Sequence, residues 1–356
     1  MKTGKSIVEL AQELQRRAEA KADYVADTRS VAVEVVGEES PKLALHVEGA
    51  GFFSPTPVAH GQIAAHTEIP KKYYDKMLGE APDLLVRNVN HWFNEKPTRR
   101  MVRTLDGNAR AFLSDRYRRF DNEDVAEAVL PVLLESREIK VVSCEVTDLR
   151  LYIKALFPKI EGEVKVGDPV QAGVVISNSE IGLGSLNVSP LVFRLVCTNG
   201  MVRNDYGMNR YHVGRRIDGD GKSVEALFRD ETLAADDKAL ALKLQDVVRA
   251  SMDQVQFARM LEDMRKATEG EQIAQPVQAV EVLSKTFGLR ENEKNSVLEN
   301  LIRCGDYSRW GALNAVTAVA NTHESYDRAT ELETIGGRIL DLKPSEWKSI
   351  ALAEAA

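Results

Sequence analysis

The first 97 residues combine helical and strand patterns of hydrophobic positions. Residues 6–22 have apolar side chains at helical spacing, whereas residues 30–36 and 43–47 alternate between apolar and polar, as half-buried strands do. Helical spacing returns in three further segments, and Pro70 suits the first turn of the second one. These segments are residues 58–67, 70–77 and 83–94. We therefore predict a mixed helical and strand region over residues 1–97.

From residue 98 the apolar period changes to two. A hairpin is predicted around Asp106-Gly107-Asn108, because such residues tolerate the positive φ of a tight turn. A helix capped by Asp121 or Asn122 follows, and Pro131 predicts a kink or an early end. Further strands are predicted at residues 140–146, 150–157, 170–177, 186–197 and 201–213. This order predicts an α+β core over residues 98–216, with a mostly antiparallel sheet and flanking helices.

After residue 216 the strand pattern ends. Residues 217–223 form a polar linker, and the remainder has helical spacing, which predicts an all-helical C-terminal region over residues 217–356. Individual helices are predicted at residues 276–287, 291–303, 311–334 and 345–354. The net charge of −7 divides unevenly, because the residues up to 216 carry +1 and the rest carry −8. Any surface for a polyanion is therefore expected before residue 217.

Several classes of protein are disfavoured by the sequence. No apolar run approaches the ~20 residues of a membrane helix, and the charged N-terminus lacks the apolar core of a signal peptide. The three cysteines form no CxxC pair, so we predict neither a disulfide framework nor a zinc site, and a cytoplasmic location. Gly221-Lys222-Ser223 lacks the leading glycine of a phosphate-binding loop. We predict no metal, no cofactor and no catalytic residue.

The strongest local anomaly is the basic segment Lys96–Arg119, whose eight cations and two acids give a balance of +6. A second group of arginines with interleaved aromatic residues follows Asn199-Gly200. Arginines track a nucleic-acid backbone while rings stack on bases, so the pattern predicts binding or annealing of single-stranded DNA without catalysis. The candidate nucleic-acid-binding residues are Arg99, Arg100, Arg103, Arg110, Arg116, Tyr117, Arg118, Arg119, Arg203, Arg210, Arg215 and Arg216. A salt-bridged, solvated sheet edge is the alternative interpretation.

Two other functions stay open. Asp148, Glu163 and Lys165 offer the residue types of a metal-dependent nuclease, although their spacing does not require them to converge. The acidic helical region could instead serve protein interaction, including antagonism of a host defence. We also predict that the chain forms a homo-oligomer.

Three sequence blocks resemble one known family. Residues 111–131 (AFLSDRYRRFDNEDVAEAVLP), 173–190 (GVVISNSEIGLGSLNVSP) and 194–202 (RLVCTNGMV) are similar to the signature blocks of a phage- and plasmid-encoded family of uncharacterised prokaryotic proteins. This family is known as a numbered domain of unknown function. The resemblance implies a role in phage or plasmid DNA metabolism, with phage or host DNA-processing proteins as partners. The polar residues 178–180 inside the second block are interpreted as turn residues, with a polar pocket as the alternative.

Overall fold

The computed structural model describes residues 1–37, 42–135, 138–203, 208–210 and 230–354. The strands are β1 Lys21–Asp27, β2 Val31–Val36, β3 Lys42–Val47, β4 Gly51–Pro55, β5 Arg99–Leu105, β6 Asn108–Ser114, β7 Lys140–Val146, β8 Leu151–Glu163, β9 Pro169–Asn178, β10 Leu186–Arg194, β11 Asn199–Val202 and β12 Met208–Arg210. The helices are α1 Ile7–Ala20, α2 Pro57–His66, α3 Lys71–Glu80, α4 Pro82–Glu95, α5 Asn122–Glu135, α6 Asp230–Ala250, α7 Gln254–Thr268, α8 Pro276–Phe287, α9 Glu291–Cys304, α10 Arg309–Val319, α11 Tyr326–Leu340 and α12 Pro344–Ala351.

The first sheet uses strands that precede residue 115, in the order β1, β5, β6, β4, β3 and β2. Its strands pair antiparallel, except that the end of β4 runs parallel to β6. Helices α2, α3 and α4 pack on this sheet through buried apolar side chains such as Ile63, Met77 and Leu85. Phe93 of α4 stacks on Phe112 of β6 with 5.5 Å between ring centroids. Helices and sheet therefore share one apolar core.

The second sheet has the order β11, β10, β9, β8 and β7, with β12 paired to the other end of β10. All its described pairings are antiparallel. One face packs on α1, α5, α6 and α7, and α11 covers the opposite face. Helix α10 packs between α9 and α11, α8 packs on α9, and α12 packs on α8. The helices of the acidic C-terminal region therefore pack against the second sheet and share its apolar core.

Strand β8 carries buried side chains on both faces of the second sheet. Ile153 and Ala155 point into the large apolar core, as expected from the alternation of side chains along a strand. Lys154 points to the opposite face, where its Nζ lies 2.5 Å from Glu333 of α11. Both side chains are 0% exposed, and Nζ also lies 4.8 Å from the ring centroid of Tyr326. A fully buried ion pair therefore joins α11 to the sheet.

The predicted α+β class with a helical C-terminal region is confirmed. The first sheet, however, crosses the predicted boundary at residue 97, because β5 pairs with β1 and β6 pairs with β4. Helix α5 continues past Pro131 to Glu135. The predicted helix over 311–334 is two helices, since Ser325 caps α11 by accepting from the backbone N–H of Arg328.

The Lys154–Glu333 pair leads to a prediction about stability. We expect Lys154→Met to lower the free energy of unfolding by about 3–5 kcal/mol, because it leaves a buried carboxylate without its cation. Lys154→Met combined with Glu333→Leu should recover most of that loss. Urea denaturation measures both, with Lys140→Met at the exposed start of β7 as the control. A stable single Lys154→Met variant would contradict this account.

Candidate functional site

Arg103 of β5 lies at the centre of a buried ion network between the two sheets. Its Nε and Nη2 donate to Asp23 of β1 at 2.8 and 3.1 Å. Nη2 also donates to Asp121 at 2.9 Å, and Nη1 donates to the backbone oxygen of Glu180 at 2.9 Å. Asp121 directly precedes α5, and Glu180 follows β9. One fully buried side chain of the first sheet therefore holds two segments that adjoin the second sheet, the start of α5 and the segment after β9.

Arg110 of β6 and Lys21 of β1 complete this network. Arg110 Nη1 lies 2.5 Å from one carboxylate oxygen of Glu180, while the other oxygen accepts from the backbone N–H of Asn122 at 2.7 Å. Lys21 donates to Asp121 at 2.7 Å. The ion network thus consists of Lys21, Asp23, Arg103, Arg110, Asp121 and Glu180. Glu180, interpreted from the sequence as a turn residue, is one of its buried carboxylates.

Three carboxylates of this region lie close enough to hold a metal ion. Asp121, Glu123 and Glu180 each offer an oxygen within 4.8 Å of the others. However, Lys21 donates to both Asp121 and Glu123, and Arg110 pairs with Glu180. The chain's own cations therefore neutralise these carboxylates, and the cluster acts as an ionic joint between the sheets.

Electrostatics in the ion network favour the charged forms. Burial alone would raise the pKa of Asp121, but Arg103 and Lys21 outweigh burial and hold that pKa below its ordinary value. Burial likewise opposes the charge of Arg103, yet Asp121 and Asp23 raise its pKa. Asp121 and Arg103 therefore both carry their charges at neutral pH.

The structure places the candidate nucleic-acid-binding residues in very different environments. Arg103 and Arg110 lie in the ion network. Tyr117 donates its hydroxyl to the backbone oxygen of Ser179 at 3.1 Å, and burial raises its pKa. The guanidinium of Arg103 lies 6.0 Å from the centroid of the Tyr117 ring. A nucleic acid could reach these three side chains only by displacing internal contacts.

Two further candidates bind carboxylates of the helical region. Arg118 pairs with Asp237 of α6 at 2.6 Å and with the adjacent Asp236. Arg203 lies 2.8 Å from both Asp263 of α7 and Asp341, which follows α11. These arginines attach the acidic helices to the rest of the protein.

The remaining described candidates lie closer to the surface. Arg99 and Arg119 are exposed, and Arg119 lies 3.4 Å from Asp23. Arg100 is half-buried against the ring of Phe112, and Arg116 is also half-buried. Arg210 is described only as part of β12, and Arg215 and Arg216 lie outside the described residues. The described candidates therefore do not gather on one continuous surface.

The three residues considered for a nuclease do not meet. Asp148 lies in the turn before β8, and Glu163 is the last residue of that strand of 13 residues. An extended strand of this length spans roughly 40 Å. Lys165 pairs with Asp306 at 2.7 Å. No shared metal site can form from these three side chains in this arrangement.

The structure shows a groove among the helices that pack on the first sheet, which the sequence patterns did not indicate. It has a volume of about 350 Å³ and lies between the α2–α3 turn and α4. Trp92 lies in it with its Nε1 donating to Asn88 at 3.0 Å, and the ring of Tyr73 is 48% exposed. We call this surface the aromatic groove; its lining residues are His66, Thr67, Glu68, Ile69, Pro70, Tyr73, Asn88, Trp92 and Lys96.

Lys96 places a positive charge in the lining of the aromatic groove. Lys96 Nζ lies 5.5 Å from the centroid of the Trp92 ring, and Lys72 and Arg99 are exposed nearby in sequence. Among the described residues, no carboxylate oxygen lies within 4 Å of these three side chains. Burial, followed by the charge of Arg100, lowers the pKa of His66 to about 4, so this imidazole is neutral at pH 7. Trp92 falls on an apolar position of the helical pattern over residues 83–94, so the pattern gives no sign of its partial exposure.

The fold and the ion network define an α+β protein in which two sheets are joined by buried charges. Residues 111–339 match the family model described as Domain of unknown function (DUF932). This match covers more than half of the chain, which therefore belongs to that family. No curated protein and no solved structure matches the chain. None of the described helices is both long and apolar enough to cross a membrane.

The depressed pKa of Asp121 gives a prediction with a defined sign. We expect Asp121→Asn to lower the free energy of unfolding at pH 7 by about 1–3 kcal/mol, because buried hydrogen bonds to charge are lost. The folded carboxyl titrates below its ordinary value of 3.8, so its contribution is present above that pH and lost as pH falls through the folded pKa. Urea unfolding between pH 7 and pH 3 should show the two proteins converging. A constant difference over this range would contradict the prediction.

Proposed function

We propose that this protein binds single-stranded DNA, and that the aromatic groove, with Lys96 and the nearby Arg99, makes the contact. The observation that carries the proposal is a pair of partly exposed rings, Tyr73 and Trp92, beside Lys96, which has no carboxylate oxygen within 4 Å among the described residues. Exposed bases offer π faces to such rings, while lysine and arginine meet the phosphates. Duplex DNA keeps its bases stacked inside the helix, so this arrangement favours single strands.

This surface differs from the arginine-rich sheet expected from the sequence. Arg99 and Lys96 remain available, because both are exposed at the junction of α4 and β5. Arg103 and Arg110 are committed to Asp23, Asp121 and Glu180. The proposal therefore assigns binding to the surface where α4 leads into β5, and strand annealing, self-assembly and partner proteins stay predictions.

Tryptophan fluorescence tests the stacking part of the proposal. Trp310 and Trp347 are buried, so an oligothymidylate at the groove should quench mainly Trp92. We expect Trp92→Phe to remove most of the quenching, and Tyr73→Ala to weaken binding about tenfold, in line with ~1–3 kcal/mol per stacked base. Tyr73 is half-exposed, so its truncation should leave the unfolding curve unchanged. Quenching that persists in Trp92→Phe would argue against the groove.

The charge part of the proposal is tested by salt dependence. Each phosphate neutralised on a single strand contributes ~0.7 to the slope of log affinity against log salt. We expect Lys96→Gln and Arg99→Gln each to reduce the slope by about that amount, measured by fluorescence anisotropy. Lys266→Gln, an exposed lysine in the last turn of α7, is the matched control and should leave the slope unchanged. Affinity that does not change with salt would overturn the proposal.

A further inference from the structure

A second, larger cavity lies inside the family-matched part of the chain. It has a volume of about 600 Å³, within the size range of small-molecule sites. Its floor is the face of the second sheet under α11, where Tyr152, Ser177 and Asn187 are directly paired across β8, β9 and β10. Ser189 lies on the same floor, two residues after Asn187. A sheet face is usually apolar beneath a helix, so this polar row is unusual.

Helix α11 and two arginines complete the cavity. Thr330, Glu331 and Thr334 line it from α11, Arg150 lies beside the start of β8, and Arg290 precedes α9. Arg150 donates a hydrogen bond to the backbone oxygen of Leu183. We call this cavity the polar cavity. It lies on the second sheet, and none of its lining residues belongs to the aromatic groove.

The charges of the polar cavity favour an anion. Among the described residues, no carboxylate oxygen lies within 4 Å of the guanidinium of Arg150 or of Arg290. Of the other charged lining residues, Arg328 pairs with Glu331 at 2.7 Å and with the buried Glu293, outside the lining, at 2.6 Å. Asp327 accepts hydrogen bonds from the hydroxyls of Tyr152 and Thr147 at 2.9 and 3.1 Å. Three cations and two carboxylates therefore line the cavity, and in the described part of the chain neither Arg150 nor Arg290 has a carboxylate oxygen within 4 Å.

Two hydroxyl groups of the polar cavity have unused hydrogen-bonding capacity. Thr330 is 8% exposed, and its Oγ1 makes no hydrogen bond to the described part of the chain. Ser177 is 9% exposed, and its hydroxyl has no partner among the described residues. Buried polar groups in proteins are nearly always paired, with protein, water or ligand. Both hydroxyls lie on the cavity wall, where a bound molecule with hydroxyl groups supplies the missing partners.

We propose that the polar cavity binds a small phosphorylated sugar, the chemical class that includes sugar phosphates and mononucleotides. The guanidinium groups of Arg150 and Arg290 hold the phosphate, which carries close to two negative charges at neutral pH. The hydroxyls of Ser177, Ser189 and Thr330 hydrogen-bond to the sugar. This site is independent of the proposed DNA contact, because it uses different residues on the other sheet.

Isothermal titration calorimetry of the full chain tests the proposal, with ribose 5-phosphate as the probe. Ribose and inorganic phosphate serve as the separated parts, and both should bind at least tenfold more weakly than ribose 5-phosphate. Adenosine 5′-monophosphate distinguishes a nucleotide site from a sugar-phosphate site, according to which compound binds more tightly. If none of the four compounds binds, the proposal is overturned.

Two variants locate the binding. Ser177→Ala removes a hydroxyl that makes no hydrogen bond to any described residue, so folding should be unchanged while ribose 5-phosphate binds about fivefold more weakly. Arg290→Gln, at an exposed residue with no carboxylate oxygen within 4 Å in the described ranges, should weaken binding at least tenfold. Arg259→Gln on α7 is the matched control, since it is also exposed and lacks an ion pair in the described part of the chain.

The affinities of these two variants for ribose 5-phosphate can either support or overturn the proposal. Wild-type affinity in both Ser177→Ala and Arg290→Gln would place the ligand elsewhere and overturn the proposal. Loss of ribose 5-phosphate binding with unchanged oligothymidylate binding would support it and keep it separate from the DNA contact. The unfolding temperature of each variant, measured beside the wild type, confirms that any loss is local.

Discussion

The salt bridges of Arg103 are the constraint on which the arrangement of the two sheets depends. This guanidinium is fully buried and divides its donors among Asp23, Asp121 and the backbone of Glu180. A charge inside a protein is tolerated only when partners replace its water, so these acceptors must stay in place. The contact fixes the start of α5 and the segment after β9 against the first sheet. The family match begins on β6 and includes both of these segments.

The same constraint explains which contacts the arginines of the basic segment make. A segment with a balance of +6 looks like a binding surface when only the sequence is considered. In the folded protein, Arg103 and Arg110 neutralise buried carboxylates, and Arg118 binds two aspartates of α6. The charge therefore serves mainly to join sheets and helices. The proposed DNA contact instead uses Lys96 and Arg99, which are exposed where α4 leads into β5.

The acidic helices have a corresponding role on the second sheet. Glu333 of α11 pairs with Lys154, and Asp263 and Asp341 pair with Arg203. Helix α11 thus closes over a sheet face that carries both apolar and polar side chains. Where the polar row of that face is left uncovered, the polar cavity forms. The ion pair between Lys154 and Glu333 and the polar cavity therefore both result from the packing of α11 on the second sheet.

Local patterns were sufficient for the element types, because periods of two and 3.6 depend only on which face of an element is buried. They gave the hairpin around Gly107, the strand over residues 140–146 and the helices after residue 217. They did not show that β1 pairs with β5 and that Glu180 meets Arg110, since residues distant in sequence make these contacts. The sequence by itself determined the class of fold and the family. Only the tertiary structure decided which arginines are buried and which reach solvent, because pairing between charges depends on distance in space.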